Sequence, residues 1–497
     1  MRGVVGTNLN SPPSPAGGGA GGEGTRPDNL PSDILDSGIR RNDDSQSNRL
    51  RAGYRYSLCF LLLASLLFTS LASLSHAADY HAGPEDYRTY LSRLGPGDRL
   101  ILSAGDYPRG LPLHDLEGRA EAPIVIEGPG GGHNPGSRAR FVARPGANTV
   151  SLANVRHLVL RNLELDGRNL PVDAVKAEGH ARYAHYVTLE NLYIHDHAAS
   201  QQNVGISTKC PAFGWIIRGN RIERVGTGIY LGDSDGSDPF VAGLIEGNHI
   251  SATLGYNLQI KHQKSRPADM PEADTPHDTI IRRNVFIKTD GGPPGPSARP
   301  NVLVGHMPPD GPGMADRTLI HGNLFWNNPS ESLFQGEGNL ALYNNLFVTT
   351  GPDAVRIQPH NGVPREVRVL FNTVLATGNG ITVRAPENNA FEQVVAGNVV
   401  FAARPLEGGI QRHNLVGSHD AAERYLARPD AELGAIDLSP RSGRRLTGTV
   451  EARWRQDLPD IERDFAGNPR PADVIGALVR AGASLIPASP MNEMPRP

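Results

Sequence analysis

The chain has 497 residues, and its 49 Lys and Arg against 52 Asp and Glu leave a net charge of −3. That balance gives no electrostatic footprint for nucleic acid. With 57 glycines and 41 prolines, turn formers are too frequent for long helices to dominate.

The first fifty residues are rich in Ser, Gly, Pro and charge. They read either as a disordered extension or as sequence upstream of a true start near Leu50. Arg49, Arg51 and Arg55 then flank the apolar run SLCFLLLASLLFTSLASL, which closes in SHA before Ala78. A basic flank, an apolar stretch and small residues at a cleavage point make residues 51–77 a signal peptide, cut after Ala77. The expected mature protein is secreted or periplasmic, with no stable membrane span once the leader is gone. Cleavage removes Cys59 and leaves Cys210 alone, so neither an internal disulfide nor a thiolate zinc site can form. Stability has to come from a large core.

From residue 79 to about 415 one phrase recurs: LRNLEL, LENLYI, IRGNRI, IEGNHI, IRRNVF, IHGNLF, YNNLF, LFNTVL, AGNVV. Its asparagines are Asn162, Asn191, Asn220, Asn248, Asn284, Asn323, Asn345, Asn372 and Asn398. Successive gaps run from 22 residues (Asn323 to Asn345) to 39 (Asn284 to Asn323), one solenoid turn plus variable loops. Asn tolerates a left-handed backbone at a sharp corner, and identical amides stacked coil on coil hydrogen-bond along the axis. About a dozen residues after each Asn comes a second phrase: DAVKAE, VGISTK, TGIYLG, YNLQIK, NVLVGH, SLFQGE, DAVRIQ, NGITVR. These alternate in character, so one face is buried and the other meets solvent or substrate.

Strand, Asn corner, strand, loop, strand resembles the coil of the pectate-lyase-like superfamily of right-handed parallel β-helices. The resemblance implies an all-β solenoid in which the second phrase forms the first sheet, where that superfamily builds its active sites. LGPGDRLILSAGDY, APIVIEGPGGG, ARFVA and HLVLRNLELDG, within residues 83–167, are similar to the opening coils of the chondroitinase B and alginate lyase family, in which a short helix caps the solenoid. TPHD at 275–278 is similar to the Asp-Pro-His-Asp signature of mannuronan epimerases, with Thr275 in place of the first Asp. After about residue 415 the ladder stops. Residues 416–497 read as a closing segment that packs along the side or carboxyl end of the helix and covers the last coil, followed by a disordered tail.

Aligning the second phrase places Val175, Ile206, Ile229, Leu258, Val302, Leu333, Val355 and Ile381 inward. Gln335 then falls at an inward position and breaks the apolar stack. One outward column runs Lys176, Ser207, Tyr230, Gln259, Leu303, Phe334, Arg356, Thr382. The next runs Glu178, Lys209, Gly232, Lys261, Gly305, Gly336, Gln358, Arg384. Asp233, His262, His306 and Glu337 lie just past the strand ends, forming a polar strip at a coil spacing of about 4.8 Å. Gly232, Gly305 and Gly336 leave space beside Lys261, and the longest loops (263–278, 288–300 and 308–317) surround it.

The lone-residue reading of such lysines is a solvated face that keeps an edge soluble; their convergence favours a site. On this scaffold acidic polysaccharides are cut by β-elimination, which needs a cation for the carboxylate, a base and an acid. Lys261 is the expected base, with His262 or His306 as acid. Lys209, Tyr230, Gln259, Phe334, Glu337 and Arg356 are the expected substrate contacts. Asp233 and Asp235 could hold calcium. The expected function is a lyase or epimerase acting on a uronate-containing polysaccharide as a monomer; the alternative is a non-catalytic glycan-binding or surface scaffold.

Overall fold

The computed structural model describes residues 77–480 and 482, apart from 131–136, 290–291 and 385–390. The expected extension, the leader up to residue 76 and the final residues lie outside them. Short strands wind into three stacks, all paired in parallel. One stack precedes the Asn corner, from Ile124–Glu127 to Ile410–Arg412. A second follows the corner, from Gly105–Tyr107 to Leu415–Gly417. The third carries the second phrase, from Val175–Ala177 through Asn379–Val383. Parallel crossovers of this kind wind right-handed, and the chain is a right-handed parallel β-helix. A one-turn helix, Arg88–Leu91, lies at the amino-terminal end, where Tyr87 and Leu91 join the core.

The axis is filled by one continuous apolar column that includes Ile206, Ile229, Leu258, Val302, Val355 and Ile381, each at most 1% exposed. Beside it runs the amide ladder. From Asn220 through Asn248, Asn284, Asn323, Asn345, Asn372 and Asn398 to Asn414, each Nδ2 donates to the next Oδ1 at 2.9–3.0 Å. The backbone N–H of the same residue donates to that oxygen as well, at 2.9–3.0 Å. Every amide is therefore satisfied inside a dry core, as buried polar groups require.

The ladder corrects the sequence reading at both ends. Asn414 is a further rung. Asn162 and Asn191 are not rungs: strand register pairs Glu190 with Arg218 and Tyr193 with Arg221, which sets Asn191 opposite Gly219 and Leu192 opposite Asn220. Asn162 and Asn191 take φ of 59° and 51°. In later coils the left-handed residue is the one before the rung: Gly219, Gly247, Arg283, Gly322, Asn344, Phe371, Gly397 or His413. Two jobs that one Asn was expected to do are thus split between neighbours.

The closing segment packs along the side of the helix. Tyr343 Oη donates to the Pro459 carbonyl at 2.8 Å, Asn344 Nδ2 to the Arg463 carbonyl at 2.8 Å, and the Gly476 N–H to the Gly397 carbonyl at 2.8 Å. Trp454, Leu458, Ile461 and Phe465 complete a second apolar cluster there. In the last coil Ile410 and Val416 stay 37% and 49% exposed, so the described part of the segment does not cover that coil fully.

Candidate functional site

Register decides which side chains share the outer face of the first sheet. Lys176 pairs with Ser207, Ser207 with Tyr230, Tyr230 with Gln259, and Gln259 with Leu303, as the spacing predicts. The next coil is slipped by one residue from the expected alignment. Val302 pairs with Phe334, Leu303 with Gln335 and Val304 with Gly336. Phe334 is therefore a fully buried core residue and cannot meet a substrate, while Gln335 faces outward and donates to Glu331 Oε1 at 3.3 Å. The misfit of a buried Gln335 was the visible sign of the slip.

The glycines also separate. At Gly232 (φ +89°) an added Cβ would sit 3.3 Å from Lys261 Cβ, so its absence does make room for that lysine. Gly305 is required by the backbone of His262, 2.2 Å from where its Cβ would be, and Gly336 faces inward against Leu340 and Phe334.

Lys176, Lys209, Lys261 and Arg299 line one open cleft of about 320 Å³ with Tyr230, Tyr256, Gln259, Gln201, Gln202, Thr227 and Asp173. Four cations face one carboxylate. Asp173 is already engaged: its carboxylate accepts the Val204 N–H at 2.8 Å and lies 3.5 Å from Lys176 Nζ. Lys209 Nζ sits 3.5 Å above the centre of the Tyr230 ring. Burial first and Lys176 next pull its ammonium down to about 8; Asp173 and Asp233 oppose this and Lys261 adds to it. Burial raises the Tyr230 phenol, so it stays protonated in neutral solution.

The far wall comes from the loop expected to matter, residues 288–300. Lys288, 1% exposed, donates from Nζ to the Gly255 carbonyl at 2.6 Å and the Arg299 carbonyl at 2.8 Å. Gln201 Nε2 donates to the Ser297 carbonyl at 2.8 Å and the Leu254 carbonyl at 3.0 Å. Arg299 and Tyr256 are thereby fixed over the sheet.

The other expected residues lie apart from this cleft. His262 and His306 are not among its lining residues; their rings stack at 5.5 Å, and His306 Nδ1 contacts the Met307 carbonyl at 2.8 Å. Burial, then the charge of Lys261, pushes the His262 imidazole below its usual range. Glu337, 2% exposed, accepts the N–H groups of Asn361 (2.7 Å) and His306 (3.3 Å). It ties loops together and offers nothing to a substrate. Arg356 is paired with Asp353 and with Glu331 at 3.3 Å. Asp235 is bonded to Lys264 Nζ at 2.9 Å and Asp233 accepts the Asp238 N–H at 3.2 Å, closing their own turn. With Asp238 they do not bring three ligand atoms within 4.8 Å of one another; among the described residues Asp166, His195 and Asp196 do, on the second stack. The Asp233 and Asp235 carboxylates lie close enough to interact with each other, and among the described residues no third ligand residue joins them within that distance. In the TPHD stretch, Asp278 is held bidentately by Arg317 at 2.7 and 2.8 Å.

Asp173, Gln201, Gln202, Tyr256 and Arg299 were not expected here, and Lys176 was placed on the outer column without a role. Only an inventory of cations in the flanking loops could have singled out Arg299.

No protein-family model matches the chain, and no curated protein matches its sequence. Solved structures with a similar course include the PL6-family alginate lyase AlyGC, at 11% identity and a TM-score of 0.45 over 78% of this chain and 58% of that one. A mannuronic-acid-specific family 6 lyase from human gut microbiota has 16% identity and a TM-score of 0.38, over 70% of this chain and 84% of that one. A GH136 lacto-N-biosidase from Eubacterium ramulus has 13% and 0.37, over 73% and 70%. The chain thus spans 58% of the length of the first of these. Likeness at these identities carries no function, which has to be read from the residues in the cleft.

Proposed function

We propose that this protein is an exported lyase that binds a uronate-containing polysaccharide in the cleft of Lys176, Lys209, Lys261 and Arg299 and cleaves it by β-elimination. The observation that carries the reading is the charge arrangement: four cations converge on one open groove, and its one lining carboxylate is already engaged. A polyanion supplies the missing negative charge. Tyr230, Tyr256, Gln202 and Gln259 beside those cations provide ring faces and amides for sugar hydroxyls. Lys209 replaces Lys261 as the base, because burial and neighbouring cations bring it to about 8, near the working range of a general base. Lys261 and Arg299 neutralise the carboxylate and acidify the C5 hydrogen. The apolar run before Ala78 supports action outside the cytoplasm.

The test is incubation of the mature protein with alginate, glucuronan, pectate, chondroitin and heparin, following the ultraviolet absorbance of unsaturated ends. The expected result is product from at least one polymer, with a rate that rises with pH through about 8 and is abolished in Lys209→Met. Binding without any unsaturated product and without a change in uronate configuration would make the protein a glycan-binding scaffold instead.

A further inference from the structure

Resting on the lyase reading, we propose that Tyr230 is the general acid of this cleft and works with Lys209 from one side of the sugar ring. The site then takes uronides whose C5 hydrogen and O4 lie on the same face. Three observations carry this. Tyr230 and Ser207 are register partners on adjacent coils, and Lys209 stands at the end of the Ser207 strand with its Nζ 3.5 Å above the phenol ring. Both residues line the cleft, whereas the imidazoles that could have served as acid do not. The other lining cations have other tasks: Lys176 lies 3.5 Å from Asp173, and Lys261 and Arg299 are taken by the substrate carboxylate, while the Ser234 hydroxyl is hydrogen-bonded to Tyr230 itself.

The step balances with these two groups. The lone pair of neutral Lys209 Nζ takes the C5 hydrogen as a proton. The electrons of the broken C–H bond form a double bond between C4 and C5 as the C4–O4 bond breaks. The phenol proton of Tyr230 goes to O4, which leaves as a hydroxyl. An ammonium and a phenolate remain, and one proton lost by the first to solvent and one gained by the second from solvent restore both. Two side chains that touch each other cannot reach opposite faces of one pyranose. They meet the C5 hydrogen and O4 together only where both lie on one face, as in manno- and gluco-configured uronides and not in galacto-configured ones.

The experiment compares two leaving groups. Fluoride departs from C4 without a proton donor, whereas a sugar alkoxide needs one. On mannuronan or glucuronan, Tyr230→Phe is expected to lose about 100-fold or more in rate, while fluoride release from a C4-fluoro oligouronide of the same configuration stays within about threefold of wild type. Lys209→Met loses both activities. Equal loss of both in Tyr230→Phe would overturn the acid assignment, as would full retention of polymer cleavage. Wild-type cleavage of polygalacturonate at the rate seen with mannuronan or glucuronan would overturn the same-face geometry. Failure of the wild type on every uronan would remove the lyase reading itself, and is distinguishable from all of these.

Discussion

Replacing Asn323 and Asn162 separately with Gly tests the division of labour at the corners. The two residues stand in the same sequence phrase, IHGNLF and LRNLEL. Asn323 is fully buried; its Oδ1 accepts the N–H and the Nδ2 of Asn284, at 2.9 and 3.0 Å, and its Nδ2 donates to Asn345 Oδ1 at 3.0 Å and the Ile281 carbonyl at 2.9 Å. Truncation leaves the Asn284 N–H without an acceptor in a dry core, which costs about 1–3 kcal/mol. The other lost bonds are worth about 0.5–1.5 kcal/mol each, and glycine adds about 0.5–1 kcal/mol of backbone entropy. A total of about 3–8 kcal/mol follows. Asn162 has φ +59° and one amide contact, from Asn191 Nδ2 at 2.6 Å. Glycine favours that backbone, so the net change there should stay within about 1 kcal/mol. Urea unfolding followed by circular dichroism measures both. Equal losses at the two sites, or a loss at Asn323 under about 1 kcal/mol, would refute the ladder as the source of the difference.

Three further outcomes are expected. Asp316→Ala strands Arg266, whose side chain is 1% exposed and whose Nη2 lies 2.6 Å from the Asp316 carboxylate; breaking such a buried pair costs about 3–5 kcal/mol, readable by denaturant titration. His185 and His321 are 2% and 3% exposed, and burial brings each imidazole down to about 4. Below about 6.5 the unfolded chain takes up protons that these folded rings refuse, so stability is full above that value and falls as pH drops toward 4, by up to about 3 kcal/mol per ring. Thermal melts of wild type and His321→Phe across that range should converge in the acid arm, and parallel curves would contradict the assignment. Lys288→Met frees the carbonyls of Gly255 and Arg299 and should weaken uronan binding by about 3–10-fold, the scale of one hydrogen bond, while the circular dichroism spectrum holds. Unchanged affinity by calorimetry would mean that Arg299 needs no such support.

The sequence by itself determined the solenoid. Recurrence of Asn between short apolar runs, with a second alternating phrase at fixed distance, has one economical solution: parallel coils with a buried amide stack. It also placed Lys176, Lys209, Tyr230, Gln259 and Lys261 on the outer face of one sheet, because a two-residue period assigns faces wherever the register is right. Tertiary structure decided what that period could not. A one-residue slip exchanges the two faces of a strand, and the slip at Phe334–Gly336 removed Phe334 from the surface. The loops obey no period, so Arg299 and Tyr256 reach the cleft because buried Lys288 binds the carbonyls of Arg299 and Gly255 and Gln201 binds those of Ser297 and Leu254 beside them. The lowered ammonium of Lys209 has the same origin: its burial and its seat over Tyr230 are products of coil stacking, which no spacing along the chain encodes.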